Sequence, residues 1–302
     1  MRTQNSRAAQ LSVRRNELKD KTELINIMDF PDELSDSICQ VLSNYSVALL
    51  RIVIDQNYEK FSLIGSGTLV IVNGRFSILT AEHVLSEIEG SEYLGLLTSY
   101  RGNPHRYKFE TNQLAFHRIA KGENDSDGPD IGLITLPNEI IGRLKAEKSF
   151  FNIDRRRDRF NQGFIPVDRG FWFTLGFPGV FEFNIEPDRG FSEVKGYYGL
   201  CGISGIRKEY ENDGYDYLEM SIEYESHNEK LPDSFGGVSG GGIWQVPLSR
   251  NNQGRLEPDE YILSGVMFYQ TQLQENQRFL RGHGRKVIYF NVPEYMEELK
   301  NS

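Results

Sequence analysis

Three well-separated segments of the 302-residue chain carry residue types capable of proton transfer or nucleophilic attack. In Ile78-Leu79-Thr80-Ala81-Glu82-His83-Val84 an apolar strand delivers a histidine at its end. An imidazole titrates near neutrality and can exchange protons with a ligand, but by itself His83 is equally a hydrogen-bonded histidine with no chemical part. In Pro129-Asp130-Ile131-Gly132-Leu133-Ile134-Thr135-Leu136 a carboxylate stands immediately before a strand so apolar that both its faces must be buried. A carboxylate there needs a partner, because burying it alone is costly. In Gly236-Gly237-Val238-Ser239-Gly240-Gly241-Gly242 a serine sits among glycines between a polar loop and a strand. Such a segment is either a flexible turn or a place where backbone N–H groups can approach a ligand closely.

The elements that must position these residues read as β-rich. Short β-branched and aromatic runs bounded by Gly, Pro, Asn or Asp predict strands at 46–54, 66–80, 130–137, 169–178, 216–224, 241–248, 261–270 and 285–293. Within the second run, Asn73-Gly74 between VIV and RFSIL predicts a tight hairpin, since both central residues of that turn need positive φ. Helices are expected within Asp29 to Leu42, with Pro31, Asp32 and Glu33 suited to a helix start, briefly after Thr80, over Asn138 to Lys148, and at the C-terminal PEYMEELKNS. DRRRDR (154–159) and SRNNQGRLEPDE (249–260) read as polar loops. Many short strands with frequent turns imply an all-β barrel or sandwich. No repeat or low-complexity linker divides the chain, so any two lobes pack closely.

Composition excludes several classes. With 34 Lys and Arg against 43 Asp and Glu, the formal net charge is −9, which argues against nucleic-acid binding through bulk attraction. A 38% hydrophobic content together with 29 glycines approaches the roughly 45–50% apolar share of globular chains, so disorder is not the main state. The longest apolar run, Val47 to Ile54, is short and broken by Arg51, so neither a membrane span nor a membrane partner is expected. Cys39 and Cys201 are too few for a stapled secreted framework, and the first 30 residues hold no apolar secretion signal; a cytoplasmic location and a solvated N-terminal arm follow as expectations. The five histidines show no paired-ligand spacing and no GxxxxGK is present, so no metal and no cofactor are implied.

TAEHV, DIGLITL and GVSGGGIW, in that order, resemble the three signatures of the chymotrypsin-like (trypsin-like) serine proteases, and more particularly their cysteine-poor intracellular bacterial members. GSGTLV (65–70), GFPG (176–179) and the SGV segment (264–266) are similar to family strands and turns, so the resemblance covers roughly residues 45–295. It implies two packed antiparallel β-barrels, split near 150–168, preceded by an arm and short helix (1–44) and followed by a C-terminal helix and tail (296–302). It implies an endopeptidase acting on a protein or peptide substrate through an acyl-enzyme, with His83 as general base, Asp130 orienting it, Ser239 as nucleophile, and the N–H groups of Gly237 and Ser239 as the oxyanion hole. Val84 and Val238 stand where most secreted members have a cysteine and an aspartate. The first agrees with a disulfide-free chain in a reducing environment. The second removes the family's activation by a new N-terminal ammonium, which leaves a chain active as made or one completed by an activating partner.

The resemblance places Asp233, six residues before Ser239, at the base of a specificity pocket, suggesting cleavage after Arg or Lys. Against this, Phe235 and Gly236 depart from trypsin, and Gln270 stands where trypsin has a pocket-wall glycine. The strand Gly265 to Gln270 would pair with the substrate backbone. Two other readings remain. A protease fold without activity could serve as a peptide-binding module. Gly237-Val238-Ser239-Gly240-Gly241 also fits the G-x-S-x-G elbow of α/β-hydrolases, with Asp259 and His283 following, although that fold needs a helix where GGIWQVPL reads as a strand.

Overall fold

The computed structural model describes residues 30–55, 58–98, 105–124, 126–160, 163, 165–185, 194–223, 232–273 and 277–301. The N-terminal arm and Tyr224 of the expected 216–224 strand lie outside the described residues. The described residues open with α1 (Asp32–Ser43), capped by Pro31, and continue through β1 (Ser46–Asp55), β2 (Tyr58–Val72), β3 (Arg75–Thr80), α2 (Glu82–Ile88), β4 (Tyr93–Leu97), β5 (Arg106–Glu110), β6 (Ala115–Lys121), β7 (Asp130–Thr135), α3 (Asn138–Leu144), β8 (Phe151–Asn152) and α4 (Ile153–Phe160). The antiparallel strands of this half run in the order β5-β4-β1-β2-β3-β7-β6, and the short β8 pairs β2 in parallel. The outermost strands, β5 and β6, are joined by only four residues. A link that short reaches no further than roughly 18 Å, so the sheet must curl until its two edges meet at this corner.

The second half contains β9 (Phe171–Gly176), β10 (Glu182–Ile185), β11 (Val194–Tyr197), β12 (Leu200–Asn212), β13 (Tyr215–Glu223), β14 (Gly242–Val246), β15 (Leu248–Arg250), β16 (Leu256–Pro258), β17 (Ile262–Gln270), β18 (Gln277–His283) and α5 (Val292–Asn301). Six of these strands form a closed barrel, β12-β13-β18-β17-β14-β9. The all-β class and the pair of antiparallel barrels expected from the sequence are therefore the architecture observed. Trp244 of β14 is 1% exposed and packs its ring against Phe151 at 5.3 Å and Tyr45 at 5.4 Å, so an aromatic cluster cements the two halves. Asn73 and Gly74 take φ of 49° and 73°, as the hairpin signal required. Among the described residues no helix is long and apolar enough to cross a membrane.

Four local expectations are corrected. Residues 285–293, expected as a strand, are helical: Val287–Asn291 form a π-helical turn that runs into α5. Val287, Ile288 and Tyr289 are all fully buried, which a strand with alternate faces would not achieve, and the Asp216 carboxylate accepts the N–H groups of Lys286 and Val287 at 2.8 and 2.9 Å. DRRRDR is α4 and not a solvated loop: Asp154 accepts the N–H groups of Asn73 and Gly74, Arg156 and Arg159 pair with Glu260, and Arg157 pairs with Glu297. Within 249–260, β15 and β16 make a small hairpin. The disulfide-free reading of Val84 does not extend to the cysteines, because Cys39 on α1 and Cys201 on β12 are bonded with Cα atoms 5.8 Å apart. That pairing depends on α1 packing against the second barrel, a contact 162 residues distant in sequence.

Replacing Trp244 with Ala should cost about 3–5 kcal/mol of unfolding free energy through the lost burial and the cavity left between the barrels. Urea denaturation followed by circular dichroism measures it; a loss within ordinary surface-substitution values would show that this cluster does not hold the halves together.

Candidate active site

His83 is the second residue of α2, and Asp130 is the first residue of β7. Gly132 allows them to meet: a Cβ there would lie 2.5 Å from Leu85 Cδ1 and 3.4 Å from Glu82 Cα, so only glycine lets α2 rest directly on β7. Glu82 holds the helix from the other side. Its carboxylate is 1% exposed and is paired with Arg118 and Lys121 of β6. The result is a short bond of 2.6 Å between His83 Nδ1 and Asp130 Oδ2, with the His83 main-chain N–H donating to Oδ1 at 3.1 Å. An ionised carboxylate only accepts, so the proton belongs to Nδ1 and the Nε2 lone pair points away from the aspartate. The His83 side chain is 36% exposed and that of Asp130 8%, the arrangement of a base open to a ligand and backed by a buried anion.

Ser239 reaches this neighbourhood from the second half, in the turn before β14. Gly237 and Gly240 flank it with φ of 96° and 88°. A Cβ on Gly240 would overlap the Ser66 carbonyl oxygen and Thr80 Oγ1, so glycine is required there both by conformation and by the close approach of the first barrel. Ser66, fully buried in β2, has every polar atom bonded, two of the bonds reaching the turn. Its N–H donates to Ser239 O at 2.7 Å, its hydroxyl donates to Gly237 O at 2.7 Å and accepts the Phe177 N–H at 2.9 Å, and its carbonyl accepts Thr80 Oγ1–H at 2.8 Å. Gly65 stands between the two parts of the site: a Cβ there would lie 2.7 Å from Val84 Cγ2 and 3.1 Å from Ser239 O. The Ser239 hydroxyl donates to Phe268 O at 3.3 Å. Among the described residues neither the N–H of Gly237 nor that of Ser239 has an acceptor.

The remaining sequence candidates fall in different places. Gln270 lies beside the serine turn, with Oε1 accepting the Phe235 N–H at 2.7 Å and Nε2 donating to Ser234 Oγ at 3.2 Å. Asp233 is exposed, and its main-chain carbonyl accepts from the guanidinium of Arg278 at 2.7 Å. Gly265 is in the barrel wall opposite Ile243, where a Cβ would overlap the His283 carbonyl oxygen. Only the end of β17, Phe268 to Gln270, lies beyond the pairing with β14, so the edge available to an added strand is shorter than the expected Gly265 to Gln270. A strand, β14, follows Ser239 where an α/β-hydrolase elbow requires a helix, and Asp259 is bonded to Ser249.

Sequence reasoning missed Ser66, Arg278 and the position of His283. His283 is wholly buried behind Asp130, whose main-chain N–H donates to His283 Nε2 at 2.9 Å. Burial pushes its pKa down to about 4, against the opposing pull of the Asp130 carboxylate.

Two measurements follow from this geometry. Ser66→Ala strands the half-buried Gly237 carbonyl and the buried Phe177 N–H and should lower unfolding free energy by about 1–3 kcal/mol, read from urea curves; an unchanged midpoint would mean the turn is held by other contacts. The unfolded chain takes up the His283 proton near the ordinary value, the folded chain only near 4, so stability is complete above the ordinary value and falls as pH drops towards 4. The loss should reach roughly 3 kcal/mol and be missing from His283→Gln, compared by urea unfolding across that range. Parallel pH dependences in the two proteins would refute it.

No family model matches the sequence, and no curated protein matches it. Among solved structures the chain is similar to one reported for the coupled folding and binding of the Sesbania mosaic virus VPg protein, at 11% identity and TM-score 0.40, over 81% of this chain and 89% of that one. It is similar to tobacco vein mottling virus protease, at 10% identity and TM-score 0.37, over 83% of each chain. It is also similar to catalytically inactive tobacco etch virus protease complexed with substrate, at 12% identity and TM-score 0.35, over 84% of this chain and 85% of that one. Likenesses this distant carry no information about chemistry.

Proposed function

We propose that the protein is a serine endopeptidase of the chymotrypsin-like kind, with His83 as general base, Asp130 orienting it and Ser239 as nucleophile. The observation that carries this reading is the 2.6 Å His83–Asp130 bond, formed beside a glycine-flanked serine whose turn is bonded to the strand leading towards His83. With its Nδ1–H held by Asp130, His83 uses the lone pair of Nε2 to take the Ser239 proton as the hydroxyl attacks a peptide carbonyl. The hydroxyl first leaves the Phe268 carbonyl, a bond long enough at 3.3 Å to give up easily. The N–H groups of Gly237 and Ser239 receive the developing oxyanion, His83 returns the proton to the leaving amine, and water then releases the acyl group from Ser239. The free edge of Phe268 to Gln270 takes the substrate main chain as an added strand.

Asp233 alone would favour Arg or Lys before the scissile bond. The Arg278 guanidinium on its carbonyl opposes a second cation at that wall, and Gln270 narrows the space, so a neutral side chain is the better fit. Val238 is 5% exposed among apolar neighbours, which suits a site that needs no buried ammonium to form; a partner that completes it remains part of the proposal.

The test is labelling by a fluorescent fluorophosphonate, with wild type beside Ser239→Ala, His83→Ala and Asp130→Asn. Labelling should vanish in the first two and slow by at least about 10³-fold in the third. Peptides ending in Leu, Ala, Arg or Lys rank the pocket, and preference for the cations would return it to Asp233. A folded wild type that stays unlabelled, alone and with cell lysate, would sink the enzyme reading and leave a peptide-binding module.

A further inference from the structure

The buried histidine of β18 plays no part in the reaction as written, yet it touches both halves of the site. We propose that His283 is the positioning residue of this site, a neutral imidazole whose Nε2 accepts the main-chain N–H of Asp130 and so fixes the carboxylate on which His83 depends. This rests on the reading of His83, Asp130 and Ser239 as the reacting set.

Three observations carry it. The bond is the sole link from the second barrel's polar groups to Asp130 among the described residues, and it is made at the first residue of β7, where the chain has just left the Gly128-Pro129 corner. The same ring stacks on Phe268 at 4.9 Å, and Phe268 is the residue whose carbonyl holds the Ser239 hydroxyl. One imidazole therefore touches the aspartate through its main chain and the resting place of the nucleophile through a ring face. Tyr217, 5.1 Å from His283, and Phe268 also form the floor under the corner: a Cβ on Gly128 would lie 3.0 Å from Tyr217 Cε1 and 3.3 Å from Phe268 Cζ.

His283 Nδ1 faces the main-chain carbonyl of Asp216, an acceptor whose pull favours the protonated form of Nδ1 and which also accepts the Gly284 N–H through its other lone pair. A proton on Nδ1, facing that carbonyl, leaves Nε2 as the ring's acceptor, and in this wholly buried place its lone pair is taken by the Asp130 N–H. The groups facing the ring agree. From the entry to β7 comes Asp130; from β13 come Tyr215, Asp216 and Tyr217, with the Asp216 carboxylate turned to the N–H groups of Lys286 and Val287; from β17 comes the uncharged Phe268. Burial keeps the imidazole uncharged over the neutral range, which preserves its acceptor.

The experiment compares wild type, His283→Gln, whose side-chain oxygen can still accept, and His283→Phe, which cannot. In wild type labelled with ¹⁵N-histidine, His283 should show a bare Nε2 and a protonated Nδ1 at neutral pH. A downfield proton line that disappears in His83→Ala reports the His83–Asp130 bond without any substrate. In His283→Phe this line should broaden or vanish and kcat should fall about 10–100-fold with KM nearly unchanged, as expected of a misplaced catalytic group; His283→Gln should restore both. A protonated Nε2 in wild type, or a line and kcat unaltered in His283→Phe, overturns the proposal. If His283→Phe does not fold, the wild-type nitrogen spectrum and the line in His283→Gln decide it. If wild type is never labelled by fluorophosphonate, the protease reading fails, while the downfield line and its dependence on residue 283 still judge this one.

Discussion

The docking of the Ser239 turn on the first barrel depends on one buried serine. Ser66 belongs to the first barrel but gives its N–H and its hydroxyl proton to the turn that carries Ser239 in the second, while its carbonyl anchors Thr80, three residues before His83. A hydroxyl can donate once and accept twice, and a main-chain unit offers one donor and one acceptor. Ser66 uses its N–H, its hydroxyl proton, a hydroxyl lone pair and its carbonyl, with no exposure to water. The glycines around it follow from that docking. At Gly65 and Gly240 a single added carbon would meet an atom of the other barrel, so the two barrels approach each other closely there, while Gly132 does the same within the first barrel and lets α2 rest on β7.

The electrostatic arrangement has the same economy. A carboxylate removed from water must be satisfied, and Asp130 receives the main-chain and ring donors of a single residue, His83. Directly behind it His283 stays neutral because it is buried, and so offers a lone pair to the Asp130 N–H and not a competing positive charge to its carboxylate. Around the periphery, charge performs structural work: Glu82 is buried under Arg118 and Lys121 to hold α2, and α4 uses its arginines to join the β15–β16 region and the C-terminal helix.

What could be read in advance followed the strength of local signals. Strands with uninterrupted apolar runs, such as Asp130–Thr135 and Ile262–Gln270, announced themselves because their burial is complete. The edge strands Arg106–Glu110 and Ala115–Lys121 did not, since most of their side chains face outward and carry little apolar pattern. Val287 to Tyr289 misled for the opposite reason: three consecutive apolar residues fit a buried strand and a buried helical turn equally, and the decision lay with Asp216, some 70 residues away, which caps the turn. In the site, His83, Asp130 and Ser239 each stood out by their flanking residues. Ser66, Arg278 and His283 had no local signal, because their roles arise only from what the fold brings beside them.

By itself the sequence determined an all-β chain of short strands, the Asn73-Gly74 hairpin and three chemically capable residues, because propensity, turn conformation and residue type are local properties. Only the tertiary structure decided that His83 and Asp130 bond at 2.6 Å, that the serine turn is bonded to β2, that Cys39 joins Cys201, and that His283 stands behind the aspartate. Each of these joins residues separated by 47 to 173 positions, and a contact over that distance is set by how two barrels pack, which no local stretch of sequence encodes.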